Sequence, residues 1–119
     1  MKYIVLIFII FLTTCIDDDR EIICTEQFVY GLNITVKNAD TNAIITEGIT
    51  VTARDGNYEE VLVNMEGIDN FFGAGERAGN YIIEITSNDY QTYISDVISV
   101  SADECHVIPV AIEVLLQIN

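Results

Sequence analysis

The feature that most constrains this chain is a period of two in its hydrophobic pattern. Tyr81, Ile83 and Ile85 alternate with Ile82, Glu84 and Thr86. Successive side chains of a strand point to opposite faces, so this pattern builds half-buried β structure and does not line one face of a helix. The same period places Phe28, Tyr30, Leu32, Ile34 and Val36 on one face of a first strand, with Asn33 and Thr35 on the other. Ile49, Val51 and Ala53 alternate with Thr50, Thr52 and Arg54, and Val61 and Val63 follow with Tyr58, Glu60 and Leu62 opposite. No stretch beyond residue 20 carries a helical period.

Turn chemistry divides these runs. Asn38-Ala39-Asp40-Thr41-Asn42 and Ser87-Asn88-Asp89 are clusters of turn formers. Asp55-Gly56 between two strand patterns signals a type I′ hairpin. Asn70 to Gly73 is a short strand at most, and Gly73 to Gly79, with three glycines, reads as a loop. Tyr90 to Val100 reads as extended, and Cys105 to Ile118 as one long final strand. Pro109 lacks a ladder donor, which requires an edge or a bulge there. About seven short strands with regular turns predict an all-β, antiparallel sandwich.

The N-terminus points to export. Lys2 precedes Ile4 to Leu12, an unbroken apolar run of nine residues. A spanning helix needs about 20 such residues, whereas nine suit the core of a secretory signal. Leu12-Thr13-Thr14-Cys15 resembles the lipobox of bacterial lipoproteins. That resemblance implies cleavage before Cys15 and a diacylglyceryl group on its thiol; the other reading is an ordinary signal cut nearby. Residues 1–14 are then a signal peptide, 15–26 a lipidated cysteine and acidic tether, and 27–119 the domain. Asp17, Asp18 and Asp19 are either a solvated spacer or an address. They resemble the acidic export signal of Bacteroidetes lipoproteins, which implies exposure on the outer face of the outer membrane.

Charge narrows the partners. The chain has 19 acidic and 5 basic residues. Loss of Lys2 leaves 4 basic against 19 acidic side chains, hence −15. Such a surface repels nucleic-acid backbones and anionic lipid, so acyl chains are the expected membrane contact. Cys24 and Cys105 remain after lipidation, and in an oxidising compartment the pair is expected to form a disulfide between the N-terminal segment and the last strand.

Catalytic chemistry is sparse. His106 is the only histidine. Its neighbour Cys105 invites a thiol–imidazole dyad, but adjacent residues of a strand point apart. His106 is therefore expected at the surface of a strand. Asp17-Asp18-Asp19, Glu59-Glu60 and Asp69-Asn70 lack cation-loop spacing, so no metal or cofactor is expected. Asn33-Ile34-Thr35 matches a eukaryotic glycosylation sequence, which a lipobox makes irrelevant. Phe71, Phe72, Tyr90 and Tyr93 are candidates for sugar stacking or for the core.

The order of motifs resembles one family. Gly31-Leu32-Asn33-Ile34-Thr35-Val36, Thr41-Asn42-Ala43-Ile44, Gly48-Ile49-Thr50-Val51-Thr52-Ala53, Ala78-Gly79-Asn80-Tyr81 and Asn88-Asp89-Tyr90 are similar to the carboxypeptidase regulatory-like domain. The resemblance spans about Tyr30 to Leu116 and implies a seven-stranded transthyretin-like (prealbumin-type) β-sandwich. Asn42 and Asp89 stand where that family has Gly. The expected function is a non-enzymatic surface lipoprotein whose sandwich is an interaction or scaffolding module for an outer-membrane protein partner. The alternative is a glycan-binding lipoprotein using the aromatics of the Asn70–Ala78 loop. An enzymatic reading requires a pocket in which His106 meets a carboxylate.

Overall fold

A computed structural model describes residues 23–119, so Cys15 and Asp17 to Asp19 lie outside the described residues. The described chain is all-β, without a helix, and has nine strands. They are β1 (Tyr30–Asn38), β2 (Ile49–Asp55), β3 (Tyr58–Val61), β4 (Val63–Asn64), β5 (Asn70–Gly75), β6 (Gly79–Ser87), β7 (Tyr93–Ile94), β8 (Ile98–Val100) and β9 (Val110–Leu116). One sheet runs β4-β5-β1-β9; the other runs β3-β2-β6-β7, with β8 also on β6. The two sheets form a sandwich.

The inner faces follow the alternation. Leu32, Ile34 and Val36 of β1 oppose Tyr81, Ile83 and Ile85 of β6, and all six are fully buried. Val51, Ala53, Phe71, Val114 and Leu116 complete the centre. Each large aliphatic side chain so buried contributes about 1.5–3 kcal/mol. Polar side chains hold the outer faces. Arg54 pairs with Glu84 at 2.8 Å and Glu59 at 3.4 Å, and Lys37 pairs with Glu113 at 3.1 Å.

Several expectations change. The sandwich is not wholly antiparallel, because β9 runs parallel to β1 from Leu32↔Val110 to Asn38↔Leu116. The hairpin loop is Gly56-Asn57, since Asp55 pairs with Tyr58. Its φ is positive at Gly56 (57°) but not at Asn57, the sign pattern of a II′ turn and not I′. The short strand expected at Asn70 to Gly73 runs on to Gly75, hydrogen-bonded on both sides, where a loop was expected. Glycine frequency misleads there, because those glycines serve close packing. A Cβ on Gly73 would lie 2.7 Å from Leu62 Cγ.

The final strand begins at Val110, not Cys105. Asp103 Oδ1 accepts the N–H groups of Cys105 and His106, each at 2.8 Å, and closes a turn. Pro109 directly precedes β9, an edge strand of its sheet, where a missing donor leaves no ladder gap. Leu62 carries the chain from one sheet to the other, its N–H on Val51 O at 2.8 Å and its side chain buried. Val61 and Val63 on either side are exposed. Tyr81 locks the start of β6. Its hydroxyl donates to Arg77 O at 2.7 Å and accepts Arg77 Nη1 at 2.9 Å, while the guanidinium lies 3.7 Å from the Tyr58 ring centroid. A buried tyrosine tied to backbone a few residues upstream is a corner device of β-sandwiches.

Candidate functional site

The N-terminal segment is bolted to the sandwich. A disulfide joins Cys24 to Cys105 across 81 residues. Next to it, His106 lies between two partners: Thr25 Oγ1 is 3.0 Å from Nε2, and Glu76 Oε1 is 2.7 Å from Nδ1. Glu76 does more than hold the ring. Its Oε1 accepts Val29 N–H at 2.8 Å, its Oε2 accepts Val107 N–H at 3.4 Å, and its own N–H donates to Val29 O at 2.9 Å. Its backbone is left-handed, φ 49°, a conformation that non-glycine residues hold only under strong local constraint.

Electrostatics agree with this geometry. Burial alone would raise the Glu76 carboxyl. Hydrogen bonds from His106, Val29 and Val107 outweigh it and hold the group below the usual carboxylate range. The N–H groups of His106 and Cys105 likewise depress Asp103.

His106 is therefore not an isolated strand residue. The Asp103 turn aims it at Glu76, a carboxylate thirty residues away that sequence reasoning did not connect to it. Hydroxyl, imidazole and carboxylate in line are the elements of a base-activated nucleophile. Acyl transfer also needs N–H donors aimed at a developing oxyanion. Four N–H groups here are engaged in holding the site together: Cys105 and His106 on Asp103, Val29 and Val107 on Glu76. The arrangement acts as a clamp.

The clamp leads into an aromatic groove on the outer face of the β4-β5-β1-β9 sheet. Tyr30 does not share a face with Leu32. Gly31 turns inward beside Leu32, and a Cβ there would lie 2.7 Å from Val100 Cγ1 and 3.0 Å from Ala74 O. Opposite, Ala74 is fully buried with φ 53°. This paired irregularity turns Tyr30 outward onto Phe72, ring centroids 5.5 Å apart. Phe28 meets Tyr30 edge to face at 5.1 Å and 86°. Gln27, Phe28, Val29, Tyr30, Asn33, Phe72 and Pro109 line an open groove of about 230 Å³. Asn33 Oδ1 is buried and has no hydrogen-bond partner, the only such side-chain atom among the described residues.

No family model matches this chain, and no curated protein matches it.

The predicted site residues distribute unevenly. Cys24 and Cys105 are bonded, to each other and at a turn instead of in the last strand. Phe71 is core, and Tyr90 and Tyr93 pack against the core. Phe72 alone of the four faces the groove. Among the described residues no three His, Cys, Asp or Glu side chains converge. Phe28, Tyr30 and Asn33 were missed as a site. The available signal was Gly31, since a glycine inside a strand marks a place where another backbone comes close.

Proposed function

We propose that this chain is a lipid-anchored exported protein whose β-sandwich is a non-enzymatic interaction module on the outer membrane. The observation that carries this reading is the clamp. The disulfide, the Thr25–His106–Glu76 line and the Val29 pairing fix Cys24 to Val29 against the sandwich. The chain from Cys15 therefore enters the domain at one fixed point beside the aromatic groove, which suits an anchored interaction module.

The transthyretin-like, carboxypeptidase regulatory-like reading has support from the chain path. β3 and β4 are one pass bent at Leu62, and β7 and β8 both pair with β6, so nine strands reduce to seven passes. Asn42, at the family's Gly position, has φ 62°, a backbone that asparagine tolerates. The lipobox and Asp17-Asp18-Asp19 supply the anchor and the surface address.

Protease shaving of intact cells, with a Cys15→Ala control and mass detection of the acylated N-terminus, tests the reading. Loss of an acylated domain from whole cells is expected. Protection of an acylated domain would make the aspartates a spacer and move the module to the periplasm. A chain with no acyl group would overturn the anchor.

A further inference from the structure

The sheet edges differ in how they are closed. The edge strands β4 and β7 have two residues each, β8 three and β3 four, whereas β9 has seven. Beyond β4, the side of β5 is capped by a side chain: Glu60 Oε1 accepts Ala74 N–H at 2.9 Å. β9 has no such cover. The N–H and C=O of one strand residue point to the same side, and those of the next residue to the other. Leu116 O accepts Ala39 N–H at 2.9 Å, so Val110, Ile112, Val114 and Leu116 turn their backbone toward β1. Ala111, Glu113 and Leu115 turn theirs outward, and among the described residues no partner meets them. The free stretch is bounded. Pro109 precedes it, and Gln117 O, next in the outward series, accepts Gln91 N–H at 2.8 Å.

We propose that the free edge of β9 binds an extended segment of a partner protein, which adds as a strand and places a Lys or Arg opposite Glu113. Three outward residues at two-residue spacing offer alternating donors and acceptors, a row that the edge of another strand matches. Antiparallel addition is the more stable pairing. Side chains set the rest of the pattern. Val110 and Ile112 belong to the inner face yet stay half-buried, with no strand beyond β9 in their sheet, so the segment's inward side chains are apolar. Glu113 is the one charge of β9, and although Lys37 lies 3.1 Å away, its side chain is 54% exposed and open to a second cation. A second copy of the chain fits less well. The two-fold register that pairs all three outward residues sets Ala111 opposite Leu115 and Glu113 opposite itself. Directly opposed like charges destabilise a sheet, and each copy carries a net charge of −14. A cationic partner meets both Glu113 and the field of the whole protein favourably.

This assignment rests on the interaction-module reading and names the partner class for it. The test uses the full-length acylated protein in a nonionic detergent. The probe is the capped peptide Thr-Val-Thr-Lys-Val-Thr-Val, followed by NMR and amide hydrogen exchange to about 2 mM, which detects millimolar Kd values. In the free protein the amides of Ala111, Glu113 and Leu115 are expected to exchange fast and those of Ile112 and Val114 slowly. The peptide is expected to protect the three fast amides saturably. A peptide with Glu in place of its Lys is expected to bind about fivefold or more weakly, and Glu113→Gln to remove most of that difference. N-methylation of the central Lys takes away a ladder donor and keeps the charge, and it is expected to abolish binding. Leu115→Pro removes an outward donor without touching the β1 ladder and is expected to do the same, with the signals of Ile34, Ile83 and Ile85 unchanged. Absence of saturable protection overturns the proposal. Equal binding of the N-methylated peptide also overturns it, because charge attraction alone would then suffice, as does a lysine preference that survives Glu113→Gln in full. Self-association that Leu115→Pro abolishes would assign the edge to a second copy and overturn it too. Each of these failures leaves surface shaving and acylation untouched, so the interaction-module reading stands or falls separately.

Discussion

The Phe28 ring occupies the space that a side chain on Gly75 would need. A Cβ built on Gly75 collides with Phe28 Cζ and Cε1. Gly75 is thus the seat of the one groove aromatic that comes from outside the sheets. Gly75→Ala is expected to push Phe28 off the groove and shift Tyr30, while the core signals of Ile34, Ile83 and Ile85 stay unchanged. Proton NMR of the aromatic rings checks this. An unmoved Phe28 ring would mean the contact is not what positions it.

Asn33 carries an enclosed acceptor with no donor. Asn33→Leu removes an enclosed, unpaired acceptor and is expected to raise unfolding stability by about 1 kcal/mol. Urea unfolding of the two proteins decides it, and a destabilised variant would show that Asn33 is satisfied by water.

Glu76 and Asp103 make the clamp sensitive to acid. Both carboxyls are depressed in the folded protein. Their contribution is therefore complete above the unfolded value, about 4, and is lost as pH falls through the lower folded values. The amide shifts of Val29 and Val107 are expected to be constant above that point and to collapse below it, with the disulfide still closed. A transition near neutrality would contradict control by these two groups.

The disulfide carries a measurable share of stability. Cys24→Ser is expected to cost about 2–5 kcal/mol and to free the Thr25–His106 contact, lowering the urea midpoint and steepening the slope, because the unfolded chain loses a cross-link across 81 residues. An unchanged midpoint would mean that Glu76 and Phe28 hold the segment unaided.

Tyr81 is a core residue with a polar task. Tyr81→Phe leaves Arg77 O and Arg77 Nη1 without their shared hydroxyl. A loss of about 1–3 kcal/mol is expected, with the β6 register intact by hydrogen exchange. A neutral result would mean that water replaces the hydroxyl at this corner.

Reading in period two succeeded where one face is buried and the other is wet, as at Ile83 and Glu84. It failed at Gly31, where Gly31 and Leu32 are both buried, as are Gly73 and Ala74 opposite, so the alternation breaks on both strands while the pairing from Tyr30↔Gly75 to Thr35↔Asn70 stays in register. Tyr30 and Phe28 looked like core for that reason. It failed again just past Gly73, where β5 continues to Gly75, because glycines that pack closely against Leu62 and Phe28 have the composition of a loop. His106 was misplaced because Asp103 captures two N–H groups and ends the extended run before β9 starts.

What this sequence determined by itself was local: strands from alternation, turns from Asn, Asp and Gly, and a pair of cysteines available to bond. Each follows from conformational preferences that act over a few residues. The partnership of Glu76 with His106, the parallel seating of β9 on β1, and the meeting of Phe28, Tyr30, Phe72 and Asn33 join residues up to 78 positions apart, as Leu32 and Val110 are. Those were decided only in the tertiary structure, where the packing of two sheets and one break in the alternation of β1 and β5 choose which distant side chains face each other.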